Sequence, residues 1–249
     1  MILAAAQTIP YDEDIDRNLR QHTRLVCKAA RHQAQLVVFP EMSLTGYLRE
    51  TAQQHAFTLH DPRLQPLRGL AQEQQIVIVA GAPVKLALGL HIGAFIFNPD
   101  GSVQVYTKHF LHEGEETYFT PGSQNPSITI DGERLALAIC ADINEPGHAR
   151  QAAANGATAY LPGIFYTPNG LSAGYSNLQH YAATYAMPVL MANYGGPSYG
   201  WAAAGQSAFW DETGRLQASL GDSGTGLLLA QKTNGVWQAR VIPDEQYSA

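Results

Sequence analysis

Residues 135–142 of this chain read Leu-Ala-Leu-Ala-Ile-Cys-Ala-Asp. The apolar run predicts a buried strand that ends on Cys140, and small and acidic residues follow at once. Cys27 is the only other cysteine, so Cys140 does not belong to a disulfide framework. A thiol that enters a loop from the end of a buried strand is placed where an α/β enzyme would hold a nucleophile.

The segments around this strand predict an α/β protein. Apolar runs predict strands over 2–6, 36–39 and 76–80, and helical spacing of apolar residues predicts helices over 14–32 and 62–75. Hairpin-like strands and two more helices follow; the strands are expected over 93–97, 103–106, 128–130, 135–139, 158–162, 189–193, 206–210, 225–230 and 236–241, and the helices over 146–155 and 173–186. The pattern indicates mixed sheets covered by helices in a single domain over 1–249.

Composition narrows the class of protein. With 249 residues, 45% of them hydrophobic, the chain can bury a sizeable core. The formal net charge of −6 and the scattered Lys and Arg residues argue against nucleic acid or an anionic membrane as the partner. No apolar run reaches the roughly 18 residues of a membrane span, and no basic region precedes the short apolar N-terminus, so no signal peptide is expected. Two cysteines indicate a reducing compartment, so we expect a cytoplasmic protein.

Two other reactive residues stand at predicted strand ends. Glu41 follows the strand over 36–39 and its proline, and Lys108 follows the strand over 103–106. Amide chemistry at Cys140 needs a base for the thiol proton, stabilisation of the developing oxyanion and a proton for the leaving group. A free thiol has a pKa of about 8.5, so a partner is required. A carboxylate and a cation at neighbouring strand ends meet these needs.

Other catalytic arrangements fit less well. His109, His112 and His148 have no cysteine-protease context, and no histidine cluster predicts a metal site. Residues 170–174 match G-x-S-x-G, but the only histidine after Ser172 is His180, and no acid lies between them. The order of an α/β-hydrolase cannot be completed, and we interpret Ser172 as the N-cap of the following helix.

Three motifs together resemble the nitrilase superfamily of carbon–nitrogen hydrolases, which use a Glu-Lys-Cys triad. The first is FPEMSLTGY at 39–47, and the second is YTKHFL at 106–111, which leads into EETYFTPG at 115–122. The third is Cys-Ala-Asp at 140–142, with Pro146 also in a familiar place. Weaker resemblance covers almost the whole chain. It implies a four-layer α-β-β-α sandwich, no cofactor, and commonly a homodimer or higher homo-oligomer.

The resemblance also implies roles for the reactive residues. Glu41 would be the general base, and Cys140 would attack the carbonyl carbon and form a thioester. Lys108 and the backbone N–H of Ala141 would stabilise the oxyanion. The family has a second active-site glutamate, which the motif places at Glu115, with Glu116 and Glu113 as near alternatives.

Departures from the family pattern bear on the substrate. Nitrilases typically have Trp-Glu after the cysteine, where this chain has Ala141 and Asp142, and Asn144 stands where several branches carry an arginine. We therefore predict an amidase that releases ammonia from a small or medium amide. The alternative is an N-carbamoyl amidohydrolase or a nitrilase that uses the same triad. A less favoured alternative is a binding or scaffold protein that kept the fold and lost the chemistry. Phe165 and Tyr166 are expected to line the acyl pocket.

A glycine-rich loop further along the chain bears on access to the site. It carries three aromatic side chains: Tyr194, Tyr199 and Trp201. We expect this loop either to close over the site or to pack at a subunit interface.

Overall fold

A computed structural model describes residues 1–244 and contains two mixed β-sheets. The seven-stranded sheet has the order β13-β12-β1-β2-β3-β4-β5 and the six-stranded sheet has the order β11-β10-β9-β8-β7-β6. The strands are β1 (Ile2–Gln7), β2 (Leu36–Val38), β3 (Val77–Leu86), β4 (Gly89–Phe97), β5 (Val103–Thr107), β6 (Ile128–Ile130), β7 (Glu133–Ile139), β8 (Ala159–Gly163), β9 (Val189–Met191), β10 (Ala208–Trp210), β11 (Leu216–Ser219), β12 (Gly226–Thr233) and β13 (Val236–Pro243). The centre of each sheet is parallel: β1, β2 and β3 in one, β7, β8 and β9 in the other.

The sheets pack face to face, and helices cover their outer faces. Between the sheets, alternate residues of β1 and β2 such as Leu3 and Val38 share a core with Leu137 of β7 and Leu161 of β8. The helices are α1 (Ile15–Arg31), α2 (Ala52–His55), α3 (Gln65–Gln74), α4 (Pro146–Ala154) and α5 (Pro168–Tyr185).

Helices α1 and α3 cover the outer face of the seven-stranded sheet. The intervening strand residues, such as Ala4 and Val37, pack against Leu25 of α1 and Leu67 of α3. Helices α4 and α5 lie on the six-stranded sheet, where Ala149 of α4 and Leu178 of α5 share a core with Tyr160 of β8 and Leu190 of β9. The α-β-β-α sandwich is confirmed.

Most predicted elements are present, with shifted ends. The main difference is α5, which begins at Pro168 and not at 173, because proline is favourable in the first turn of a helix. Ser172 therefore lies inside α5, and its interpretation as an N-cap is wrong; the N-cap position is Thr167. Two short elements, α2 and β11, were not predicted. Within residues 1–244, no helix combines the length and the apolar character that a membrane crossing requires.

Candidate active site

Three reactive side chains meet where strands of both sheets end. Glu41 follows β2 after Phe39 and Pro40, Lys108 directly follows β5, and Cys140 directly follows β7. Glu41 is 1% exposed, Lys108 0% and Cys140 9%. Buried charges require partners, so the arrangement depends on how these groups satisfy one another.

Lys108 is the centre of a buried ion-pair network. Its Nζ donates to Glu41 Oε1 at 2.7 Å and to both carboxylate oxygens of Glu115, at 2.9 and 2.8 Å. Glu113 and Glu116 are exposed, so Glu115 is the neighbouring acid that reaches the lysine. Two carboxylates around one ammonium hold that ammonium in a fixed position.

Glu115 has further donors that fix its orientation. The Tyr47 hydroxyl donates to Glu115 Oε1 at 2.7 Å, and the backbone N–H of His112 donates to Oε2 at 2.7 Å. A short 3-10 turn, Glu115–Thr117, places the carboxylate next to Lys108. Tyr47 is therefore part of the site, although sequence reasoning assigned it no role.

The two carboxyl groups of the site, Glu41 and Glu115, have pKa values that are shifted in opposite directions. Burial raises the pKa of Glu41 to about 7, opposed by the charge of Lys108 and assisted by that of Glu115. Burial also acts on Glu115, but Lys108 and the hydrogen bonds outweigh it and lower the pKa of that carboxyl. The pKa of Lys108 is raised, because the surrounding negative charges outweigh the effect of its burial. The site thus holds a permanent ammonium, an ionised acid and a carboxyl that titrates near neutrality.

Cys140 is protonated at rest and faces a free carboxylate oxygen. Burial, together with the charge of Glu41, raises the pKa of Cys140 well above its ordinary value, and Lys108 opposes this. The thiol is close enough to Glu41 to lower the pKa of that carboxyl, yet Glu41 Oε2 makes no hydrogen bond of normal geometry within residues 1–244. That oxygen is available to accept the thiol proton.

The backbone at Cys140 is strained. Its φ is 44°, a left-handed conformation that is uncommon outside glycine and often occurs at functional residues. A 3-10 turn over Cys140–Asn144 follows, and it includes Ala141, which is 5% exposed. The backbone N–H of Phe165, two residues beyond β8, is near enough to the sulfur to lower the pKa of Cys140.

Asp142 holds the turn that carries Cys140. Its Oδ2 accepts from the backbone N–H of Ile139 at 2.9 Å and from the Tyr106 hydroxyl at 2.6 Å. Its Oδ1 accepts from the backbone N–H groups of His109 and Phe110, both at 2.9 Å. Because these two residues directly follow Lys108, one carboxylate fixes the spacing between the lysine and the cysteine.

The histidines lie outside the reactive cluster. The two ring nitrogens of His148 lie 2.9 Å from the Tyr106 hydroxyl and 2.8 Å from the Tyr160 hydroxyl. His112 is exposed. Within the described part of the chain, no group of three or more metal-ligating side chains forms a metal site.

Aromatic side chains form one wall beside the cysteine. The Phe165 ring lies 5.4 Å from Tyr47, 5.2 Å from Tyr194 and 6.4 Å from Trp201, measured between ring centroids. The hydroxyl of Tyr194 donates to the backbone carbonyl of Glu41 at 2.6 Å. The glycine-rich loop thus packs against Glu41 and Phe165 of its own chain.

Tyr166 packs against α5. Its hydroxyl lies against α5, where a Cβ added at Gly174 would come within 2.2 Å of it, and it has no hydrogen-bond partner within residues 1–244. Ser172, the serine of the G-x-S-x-G match, is exposed on α5.

Comparison with known proteins agrees with this fold. A family model described as carbon-nitrogen hydrolase matches residues 2–240. The solved structure of the NitN amidase from Nesterenkonia sp. AN1 has a TM-score of 0.85 at 27% identity, covering 94% of this chain and 93% of that one. A mutant of that amidase, in complex with butyramide, has a TM-score of 0.83 at 27% identity and covers 92% and 89% of the two chains.

Two curated relatives carry different activities. An (R)-stereoselective amidase from a Pseudomonas species is 27% identical over 162 residues, which is 65% of this chain and 59% of the relative. A nitrilase from Pyrococcus abyssi is 30% identical over 161 residues, 62% of this chain and 61% of the relative. The chain spans less than two thirds of the length of the curated relatives it matches.

The two-sheet sandwich and the cysteine flanked by carboxylates and a lysine define a hydrolase of the nitrilase superfamily. The chain belongs to the carbon–nitrogen hydrolase family.

Proposed function

We propose that this protein is a cysteine amidase that converts a small or medium amide into a carboxylate and ammonia. The observation that carries the proposal is the buried network in which Lys108 Nζ bonds Glu41 at 2.7 Å and Glu115 at 2.8 Å beside Cys140. It combines a base, a cation and a nucleophile in a space from which water is largely excluded. Such a site favours attack on a neutral carbonyl, because the negative charge develops next to a fixed ammonium.

Acylation begins with transfer of the Cys140 thiol proton to Glu41 as the sulfur attacks the amide carbon. The C=O double bond opens, and its oxygen takes the negative charge beside Lys108 Nζ and the backbone N–H of Ala141. Glu41 then returns the proton to the amide nitrogen, the C–N bond breaks and ammonia leaves. The product is a thioester on Cys140, with Glu41 again ionised and ready for a second proton transfer.

Deacylation repeats the cycle with water. Glu41 takes a proton from water as its oxygen attacks the thioester carbon, and the same two donors stabilise the second tetrahedral intermediate. The C–S bond breaks, and the sulfur recovers the proton from Glu41. Throughout, Glu115 keeps Lys108 charged and oriented, so it is a positioning residue that does not exchange protons.

An amide is favoured over a nitrile for two reasons. The likeness to the Nesterenkonia amidase extends over 94% of the chain, and an (R)-stereoselective amidase is among the curated relatives. In addition, Ala141 and Asp142 stand where nitrilases typically carry Trp-Glu. The related Pyrococcus abyssi nitrilase makes nitriles a necessary comparison in the test.

The test is ammonia release from a panel of aliphatic amides, ω-amides, N-carbamoyl compounds and nitriles. We expect turnover of amides that is lost in Cys140→Ala and kept in Cys27→Ala, a matched removal of the other thiol. Turnover confined to nitriles or to N-carbamoyl compounds would contradict the amidase proposal. A cytoplasmic location and a homodimer remain predictions.

A further inference from the structure

We propose that Arg49 selects amides that carry a carboxylate at the end remote from the scissile amide. This inference rests on the proposed amidase function and narrows it to a substrate class.

Four aromatic rings lead from the catalytic groups to the surface; we call them the rim cluster, and they are Tyr47, Phe165, Tyr199 and Trp201. Tyr47 lies 5.8 Å from Tyr199 and 5.9 Å from Trp201, and the last two rings are 5.1 Å apart. Exposure rises along the cluster, from 3% at Tyr47 and 7% at Phe165 to 42% at Trp201. The Tyr47 hydroxyl donates to Glu115 and the backbone N–H of Phe165 lies near the Cys140 sulfur, so the inner end of the cluster lies beside the reactive groups.

Arg49 is fixed on the outer part of this cluster. Its guanidinium carbon lies 5.4, 5.8 and 5.3 Å from the ring centroids of Tyr47, Tyr199 and Trp201. Its Nε and Nη2 donate to the Tyr47 hydroxyl at 3.1 and 3.0 Å. On its other side, a Cβ added at Gly114 would come 2.9 Å from Nη1. Stacked and hydrogen-bonded in this way, the side chain loses little freedom when it binds a ligand.

The positive charge of Arg49 is not balanced by an ion pair in the described part of the chain. Among residues 1–244, no carboxylate lies within ion-pair distance of the guanidinium. The neighbouring acid, Glu50, instead accepts hydrogen bonds from the Tyr199 and Tyr118 hydroxyls. Arg49 retains N–H groups beyond the two used on Tyr47, and a planar guanidinium matches the two oxygens of a carboxylate.

The distance to the reaction centre suits a short substrate. Arg49 Nη2 is 3.0 Å from the Tyr47 hydroxyl, which is 2.7 Å from Glu115 Oε1, which in turn is 2.9 Å from Lys108 Nζ. Because these three contacts join end to end, the guanidinium and Lys108 Nζ are no further apart than their sum, a separation that a few methylene groups can span. The substrate class is the monoamides of short dicarboxylic acids.

The test compares charged and neutral amides of equal length. The monoamides of succinic, glutaric and adipic acid are paired with butyramide, pentanamide and hexanamide, and the ratio of their kcat/KM values is measured for each pair. Wild type should favour the charged member of at least one pair. Arg49→Gln should lower that ratio about ten- to a hundredfold, which is the loss expected for a hydrogen-bonded charge. The ratio for Arg49→Lys should lie between those of wild type and Arg49→Gln. Arg150→Gln, the same change at an exposed position on α4, should keep the ratio.

A purely structural role for Arg49 gives a different result. If the arginine acts only by holding Tyr47 and Glu115, Arg49→Gln slows both members of each pair equally and the ratio stays constant, which overturns the inference. A wild type without preference for the charged amides overturns it too. If Arg49→Gln does not fold, wild type alone decides: KM for the charged amide should rise with added KCl while KM for the neutral one does not.

The two proposals fail in distinguishable ways. Turnover of neutral amides without charge preference removes only the role of Arg49. Absence of ammonia from every amide removes the amidase function itself.

Discussion

The surroundings of Glu41 bring the pKa of its carboxyl close to neutral pH. Burial alone opposes its charge, and Lys108 at 2.7 Å favours it. Glu115 offsets part of the lysine's influence, so the pKa of Glu41 comes to about 7, above the ordinary 4.5. A base with a pKa near the working pH can both accept and return a proton, which the proposed cycle requires twice.

The pH dependence of kcat/KM should therefore report on Glu41. Activity requires the carboxylate form, so kcat/KM should rise with pH through about 7. Glu115→Gln removes the negative charge that raises the pKa of Glu41, so the rise should move to lower pH while kcat falls. A pH–rate profile of the variant measures this shift.

The matched control for this shift is Glu116→Gln, which neutralises the exposed neighbour and should leave the rise where it is in wild type. A rise that stays in place or moves to higher pH in Glu115→Gln would show that Glu115 does not tune the base.

Candidate site residues can be predicted from sequence where a reactive side chain follows an apolar strand. Glu41, Lys108 and Cys140 each follow an apolar strand, a pattern that can be read from one sequence and that the family motifs reinforce. Tyr47 and Asp142 act through partners far along the chain, 68 residues away at Glu115 and 36 away at Tyr106. No local pattern encodes such contacts, so their roles required the structure.

At the scale of elements, two glycines allow the strands to close around Glu41. A Cβ at Gly81 on β3 would lie 2.4 Å from Met42 N, and one at Gly163 on β8 would lie 2.6 Å from Phe39 O. These backbone atoms belong to the segment that carries the base. Strands of both sheets therefore approach that segment so closely that neither glycine position has room for a side chain.

Gly163→Ala should destabilise the protein and displace Glu41. Backbone must shift to admit the methyl group, which costs about 1–3 kcal/mol for overpacking, and kcat/KM should fall with it. Gly69→Ala is the control: it lies within α3 with no atom within 4 Å of the added Cβ, so it should stabilise by about 0.4–1 kcal/mol. Urea unfolding measures both, and equal stability of the two variants would refute the close approach.

Element types were predictable, and element ends were less so. The helix expected over 14–32 is Ile15–Arg31, because an Asp14 N-cap and an apolar stripe define it locally. The ends of β3 were missed: it runs to Leu86, because pairing with β4 extends it beyond its apolar run. Strand β11 was missed altogether, since only its pairing with β10, across a register shift, makes it a strand.

At the scale of the molecule, the site exists only when the two sheets are packed together. Glu41 and Lys108 follow strands of the seven-stranded sheet, and Cys140 follows a strand of the six-stranded sheet. The contact between Phe209 of β10 and Trp237 of β13, 5.5 Å between centroids, also joins the sheets. The candidate site is thus a property of the intact sandwich.

We predict that the chain unfolds as one domain. Tryptophan fluorescence, far-UV circular dichroism and amidase activity should be lost together as the urea concentration increases, because each sheet needs the other to cover its inner face. An activity loss well before the fluorescence transition, with circular dichroism retained, would indicate that the sheets separate first and would contradict the single-domain prediction.

In the proposed cycle, Cys140 carries the acyl group during turnover. Rapid acid quenching of the enzyme during hydrolysis of an amide, followed by peptide mass spectrometry, tests it directly. We predict the mass of the acyl group on the peptide that contains Cys140, none on the peptide that contains Cys27, and no adduct or ammonia with Cys140→Ala. Ammonia release that persists in Cys140→Ala, with no adduct on the wild-type cysteine, would show that Cys140 is not the nucleophile.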